Sequence, residues 1–160
     1  MNERSPRVLV FGYGNPGRLD DGLGPAFARR VERLALPAVT VESDYQLNVE
    51  AAAEAADFDV VVFADAALQG AEPFECRPVE GDAQGGFTSH SVQPAQVVHL
   101  ARALFGACGR AYALGIRGYE FDGFGERLSA RAAANLEKAV QFLVAQARRG
   151  WAFRDAAGNG

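Results

Sequence analysis

The chain predicts an α/β domain with a mostly parallel sheet of about five strands and helices on both faces. Three observations carry that prediction. Short apolar runs alternate with amphipathic stretches along the sequence, the pattern of repeated βα units. Apolar spacing in the helical stretches follows one face of a 3.6-residue period. The first strand leads into a long glycine- and proline-rich segment before its helix, placing unusual chemistry in the first βα loop.

Residues 7–12 (RVLVFG) read as a buried strand closed by glycine. Pro25 suits the first turn of a helix. Phe27, Val31 and Leu34 then line one face, with Arg29, Arg30 and Arg33 between them, up to Pro37. Residues 39–42 form a second strand. Asn48 caps a helix running to about Ala56, with Leu47 as a staple toward Ala52.

Residues 59–64 (DVVVFA) are the clearest buried strand, and Asp65 stands at its end. Residues 74–79 form a weaker strand that Pro78 confines to an edge. Residues 81–86 are polar and flexible. Pro94 opens a helix whose apolar face is Val97, Leu100, Ala101, Leu104 and Phe105. Residues 110–116 form another strand, and Ser129 caps a last helix facing inward through Ala132, Leu136, Ala139, Val140 and Leu143. One domain spans residues 7–150, between a flexible N-terminus (1–6) and a flexible tail (151–160).

With 160 residues, 49% hydrophobic and 22% charged, the composition is that of an ordinary globular domain. A net charge of −4 disfavours nucleic acid and anionic membranes as partners. No run reaches the roughly 20 apolar residues of a membrane span, and no apolar signal core is present, so a cytoplasmic protein is expected. Cys76 and Cys108 form no CxxC pair or disulfide framework and read as reduced, structural thiols.

In open α/β sheets ligands bind beyond the carboxyl ends of the strands. If the second strand lies outside the first, the third lies on its other side. The crevice between them then joins the loop carrying Asp20 and Asp21 to the strand ending in Asp65. The loop itself is about a dozen residues, against a usual 2–6.

Gly12-x-Gly14-x-x-Gly17, with Glu42 closing the second strand, matches a dinucleotide fingerprint. The mechanism argues against a nucleotide. Pro16, Gly22, Gly24 and Pro25 delay the helix whose N-terminus should face the pyrophosphate, and two aspartates would face an anion. A cation suits the charges. Asp21, Asp65 and His90 supply two carboxylates and an imidazole, a set able to hold a zinc-like or nickel-like ion with positions left open. Two carboxylates about 5 Å apart repel by about 3 kcal/mol at an effective dielectric near 20. A divalent cation or a shared proton removes that cost.

Simpler roles compete for each residue. Asp21 can close a loop turn, Asp65 can cap one, and His90 can be a hydrogen-bonded loop histidine. Asp20 braces the loop or turns outward. His99 falls on the polar side of its helix, as a solvated residue. Ser89 and Ser91 lie in no nucleophile elbow, and a Cys76–His90 pair lacks an activating environment.

Three motifs, GYGNPGRLDDGLGP (residues 12–25), VVVFADA ending its strand at Asp65, and TSHSVQP around His90, resemble the hydrogenase maturation proteases. ALGIRGYEF (113–121) and ERLSARA (126–132) extend the resemblance over nearly the whole chain. It implies a three-layer α/β/α sandwich and an endopeptidase removing the C-terminal extension of a nickel–iron hydrogenase large-subunit precursor. The family's metal-contacting residues correspond to Asp21, Asp65 and His90, with Asp21 and Asp65 in catalysis. The first acid is glutamate in some relatives, so the shorter Asp21 must sit closer. The resemblance also implies that nickel arrives on the substrate, with no organic cofactor; the sequence gives no evidence of oligomerisation, so a monomer is expected. Gln46, Asn48, Arg117 and Tyr119 are candidates for the rim of the crevice. A hydrolase holding its own zinc, or a non-catalytic maturation chaperone, would use the same groups differently.

Overall fold

A computed structural model describes residues 5–82, 92–107 and 109–153. Five strands, β1 (Val8–Tyr13), β2 (Val39–Asp44), β3 (Val60–Ala67), β4 (Phe74–Pro78) and β5 (Arg110–Arg117), form one sheet in the order β2-β1-β3-β5-β4. β1, β2, β3 and β5 are parallel, and β4 is an antiparallel edge strand. Pro78 ends that edge strand, where a missing N–H is tolerated.

Strand periodicity divides the core into two. Val8, Val10, Val60, Val62, Leu114 and Ile116 pack under α1 (Leu23–Leu34) and α4 (Ala130–Arg148). Leu9, Phe11, Val61 and Phe63 face α2 (Glu50–Ala55) and α3 (Pro94–Phe105). The three-layer sandwich and the 2-1-3 strand order are therefore as the sequence predicts. Among the described residues no helix is long and apolar enough to cross a membrane.

Several boundaries shift for physical reasons. α1 begins at Leu23, two residues before Pro25, because a 3-10 turn over Leu19–Gly22 feeds directly into it. Proline is accommodated there because first-turn N–H groups have no helical partner. β3 runs on to Ala67, so Asp65 lies inside the strand rather than at its end. β5 keeps pairing with it, as far as Ala67↔Arg117. α3 buries Gln96, Val97, Val98 and Ala101, and leaves Leu104 67% and Phe105 53% exposed. The apolar face thus runs out one turn before the helix does.

The packed domain also continues past residue 150. Trp151 and Phe153 are buried, and Phe153 stacks on Tyr112 with ring centroids 4.0 Å apart. The flexible tail expected from residue 151 is thus tied down for at least three residues by aromatic burial. Residues 1–4 and 154–160 lie outside the described residues, as do 83–91, which include most of the 81–86 segment together with Ser89, His90 and Ser91.

Candidate functional site

β1 and β3 part at the carboxyl edge of the sheet. Their last shared rung is Gly12↔Ala64, one residue before Asp65. From there β3 keeps β5 on one side and loses β1 on the other, so Asp65 borders the mouth of the crevice. Gly24 permits the helix to close over this point. A Cβ on it would stand 2.2 Å from the Tyr13 carbonyl oxygen and 2.7 Å from that of Ala64. Only glycine brings the start of α1 so near both strands.

Asp21 comes to the same place from the 3-10 turn. Its Oδ2 accepts the Asn15 amide at 2.9 Å, and the Asn15 side chain accepts the Gly17 amide at 2.9 Å. Gly14 has φ +142°, and a Cβ there would stand 2.2 Å from the Asp21 carbonyl oxygen. The glycines of this loop therefore serve close approach of backbone to backbone, not a phosphate cradle.

Asp20 turns the other way and is fully buried. Its carboxylate accepts the amides of Tyr119, Glu120 and Ser129 and the Ser129 hydroxyl, at 2.7–2.9 Å. Burial opposes its ionisation, but these donors outweigh burial and hold its carboxyl below the usual range. Backbone bonds add to the seam between the two loops. The Leu19 amide reaches the Gly125 carbonyl at 2.9 Å and the Gly125 amide reaches that of Gly17 at 2.8 Å. Leu19 adopts φ +53° with its side chain buried, a backbone state costing about 1–3 kcal/mol. Of the two roles the sequence left open for Asp20, bracing the loop or turning outward, the structure shows the brace.

The electrostatics single out Asp65. Burial is the main influence raising its carboxyl, and the Asp21 charge adds to it. The Ala66 amide, donating at 2.7 Å, and the Tyr13 hydroxyl act in the opposite sense. The balance leaves Asp65 pushed up to about 6. Burial, the Asp65 charge and the bond to Asp65 raise Tyr13 above the ordinary phenol range, so it remains a donor. Tyr13 was not among the sequence candidates. The signal for it was its position at the end of a strand between two glycines.

The structure thus sets Asp21 beside Asp65. His90 lies outside the described residues. Among the described residues, no group of three His, Cys, Asp or Glu side chains could hold a metal ion. Asn48 takes the capping role, its Oδ1 accepting the Ala51 amide at 3.2 Å, and Gln46 is exposed. Arg117, the last residue of β5 and opposite Ala67, and Tyr119 just beyond it lie at the carboxyl edge. His99 is half-buried, not fully solvated. Cys76 is a free thiol in the core under α1 and α4, and burial pushes it up to about 12, which makes it inert. Cys108 lies outside the described residues.

Chemically, the Asp65 carboxyl, near 6, can take or give a proton close to neutrality. Together with Asp21 it can grip a cation, which relieves their mutual repulsion.

No protein-family model matches the chain, and no curated sequence matches it either. Solved structures do. The [NiFe] hydrogenase maturation protease HycI from Thermococcus kodakarensis is 21% identical with a TM-score of 0.70, over 89% of this chain and 92% of its own. The hydrogenase maturating endopeptidase HybD of E. coli is 19% identical with a TM-score of 0.68, over 89% and 93%. A hydrogenase 2 maturation peptidase from a Thaumarchaeota archaeon is 21% identical with a TM-score of 0.65, over 91% and 99%. The chain shares their fold over nearly its full length.

Proposed function

We propose that this chain is a hydrogenase maturation endopeptidase. It removes the C-terminal extension of a nickel-loaded [NiFe] hydrogenase large-subunit precursor, acting as a cytoplasmic monomer. The observation that carries this reading is the juxtaposition of Asp21 and Asp65 at the open edge of β3, where the Asp21 charge adds to the burial that raises the Asp65 carboxyl. The shared fold with structures named as maturation proteases supports it, as do the motifs around Asp21, Asp65 and His90.

In this reading Asp21, Asp65 and His90 contact nickel carried by the precursor, whose own donors complete the coordination. The ion is part of the substrate, so an empty precursor offers the acidic crevice nothing to grip. Docking of the ion anchors the adjoining peptide bond at the crevice. Asp65 then accepts a proton from the water that attacks the peptide carbonyl and passes it to the departing amine as the C–N bond breaks. Asp20 and Tyr13 keep the two acids in place.

The test is to incubate the purified protein with nickel-loaded and nickel-free precursor and weigh both products by mass spectrometry. The loaded precursor alone should be shortened. An unshortened loaded precursor that still binds would make the protein a maturation chaperone. Stoichiometric zinc in the purified chain would instead indicate a hydrolase with its own metal.

A further inference from the structure

We propose that Arg117, with Tyr119 and Arg131, forms a carboxylate-binding subsite for an acidic group of the polypeptide substrate. That the substrate is a polypeptide rests on the function proposed above; the subsite itself stands on its own geometry.

Arg117 ends β5 opposite Ala67, and Asp65 lies opposite Gly115. Residues two apart share a sheet face, so Asp65 and Arg117 look out on the same side. Two residues along the strand and one strand across separate their Cα atoms by about 8 Å. Ala67 and Gly115 lie between them and raise only one methyl group above the sheet. Arg117 thus stands at the same carboxyl edge of the sheet as Asp65, one strand away.

The guanidinium is held ready. It lies over the Tyr119 ring at 4.8 Å, and Arg131 lies over the same ring at 4.2 Å. The ring is fixed in turn. Its hydroxyl donates to Glu72 and accepts Asn135 Nδ2 at 2.8 Å, and that nitrogen also reaches the Arg117 carbonyl at 3.0 Å.

Two guanidiniums therefore share one carboxylate, and Arg131 holds it. Arg131 bonds Glu72 at 2.7 Å, whereas Arg117 comes no nearer than 3.9 Å. Arg117 Nε is buried without a hydrogen-bond partner among the described residues, and the side chain is 23% exposed. A half-buried guanidinium left short of acceptors is costly to keep. It is also the group best shaped for a planar carboxylate, which it meets with two parallel bonds. The ligand is thus a carboxylate, from an acidic side chain or a chain terminus.

The test is titration of the full 15N-labelled chain, watching the Arg117 Nε–H signal in NMR spectra. The probes are N-acetyl-diglycine, its amide, and N-acetyl-glutamic acid α-amide, which carries only the side-chain carboxylate. We expect at least one acid to shift the signal saturably, identifying the source, while the neutral amide leaves it in place. Arg117→Gln should weaken binding of that acid, read at neighbouring amides, by about tenfold or more. Arg131→Gln, at an exposed position, should weaken it too by releasing Glu72 onto Arg117, and serves if the first variant folds poorly. A signal that no acid moves, or that acid and amide move alike, would overturn the proposal. These probes need neither nickel nor cleavage, so a failed processing assay and a failed subsite are separate outcomes.

Discussion

Ser129 is joined to Asp20 twice, its amide to Oδ1 at 2.7 Å and its hydroxyl to Oδ2 at 2.8 Å, across 109 residues of sequence. The same hydroxyl accepts the Ala132 amide at 3.2 Å and so caps α4. One serine thus starts the last helix and fastens it to the loop that presents Asp21.

Asp20→Ala should therefore destabilise the fold by about 3–5 kcal/mol, because it strips buried donors of their acceptor. Urea denaturation measures the loss. Because Asp20 is held below the usual carboxyl range, its contribution is complete above about pH 4. It disappears as pH falls further, through its folded value. The wild-type chain should lose stability steeply in that acid range, and the Asp20→Ala variant much less so.

Asp65 behaves oppositely. Its carboxyl near 6, against 3.8 normally, means that the folded state binds a proton more tightly than the unfolded one. Ionised Asp65 thus opposes folding by about 3 kcal/mol. Asp65→Asn should abolish processing and yet raise stability above about pH 6. The gap should close between about pH 6 and pH 4, where the wild type takes up its proton. Thermal melts of the metal-free proteins across pH 4–8 check the sign.

Asp21→Asn should end processing while leaving the melting temperature almost unchanged, since an amide oxygen can still accept the Asn15 N–H. It should also lower the Asp65 titration, because the Asp21 charge is one of the influences raising it. Carboxyl carbon shifts followed by NMR against pH measure that movement. A large loss of stability would make Asp21 a structural residue.

The layers and the first three strand positions were legible in the sequence because strand and helix periods differ and because apolar runs were cleanly bounded. Asp21 and Asp65 were legible because topology alone brings the ends of β1 and β3 together. The extension of β3 beyond Asp65 was not, since it depends on pairing with β5 rather than on local propensity. Nor was the inward turn of Asp20, whose partners lie about 100 residues away. Tyr13 was missed because an aromatic residue at a strand end reads as core until its hydroxyl is seen to meet a carboxylate.

Phe63→Ala, in the wholly buried part of β3 under α2 and α3, should cost about 3–5 kcal/mol through cavity formation. Denaturant titration measures it, and the folded fraction should still process the precursor, since Phe63 touches none of the chemistry.

The most direct measurement is the anomalous diffraction of crystals soaked in cadmium, a surrogate for the nickel of the substrate. One ion should lie within bonding distance of a carboxylate oxygen of both Asp21 and Asp65, with a nitrogen of His90 completing the set. Ions bound to one of these residues alone, with the others out of reach of it, would contradict the account.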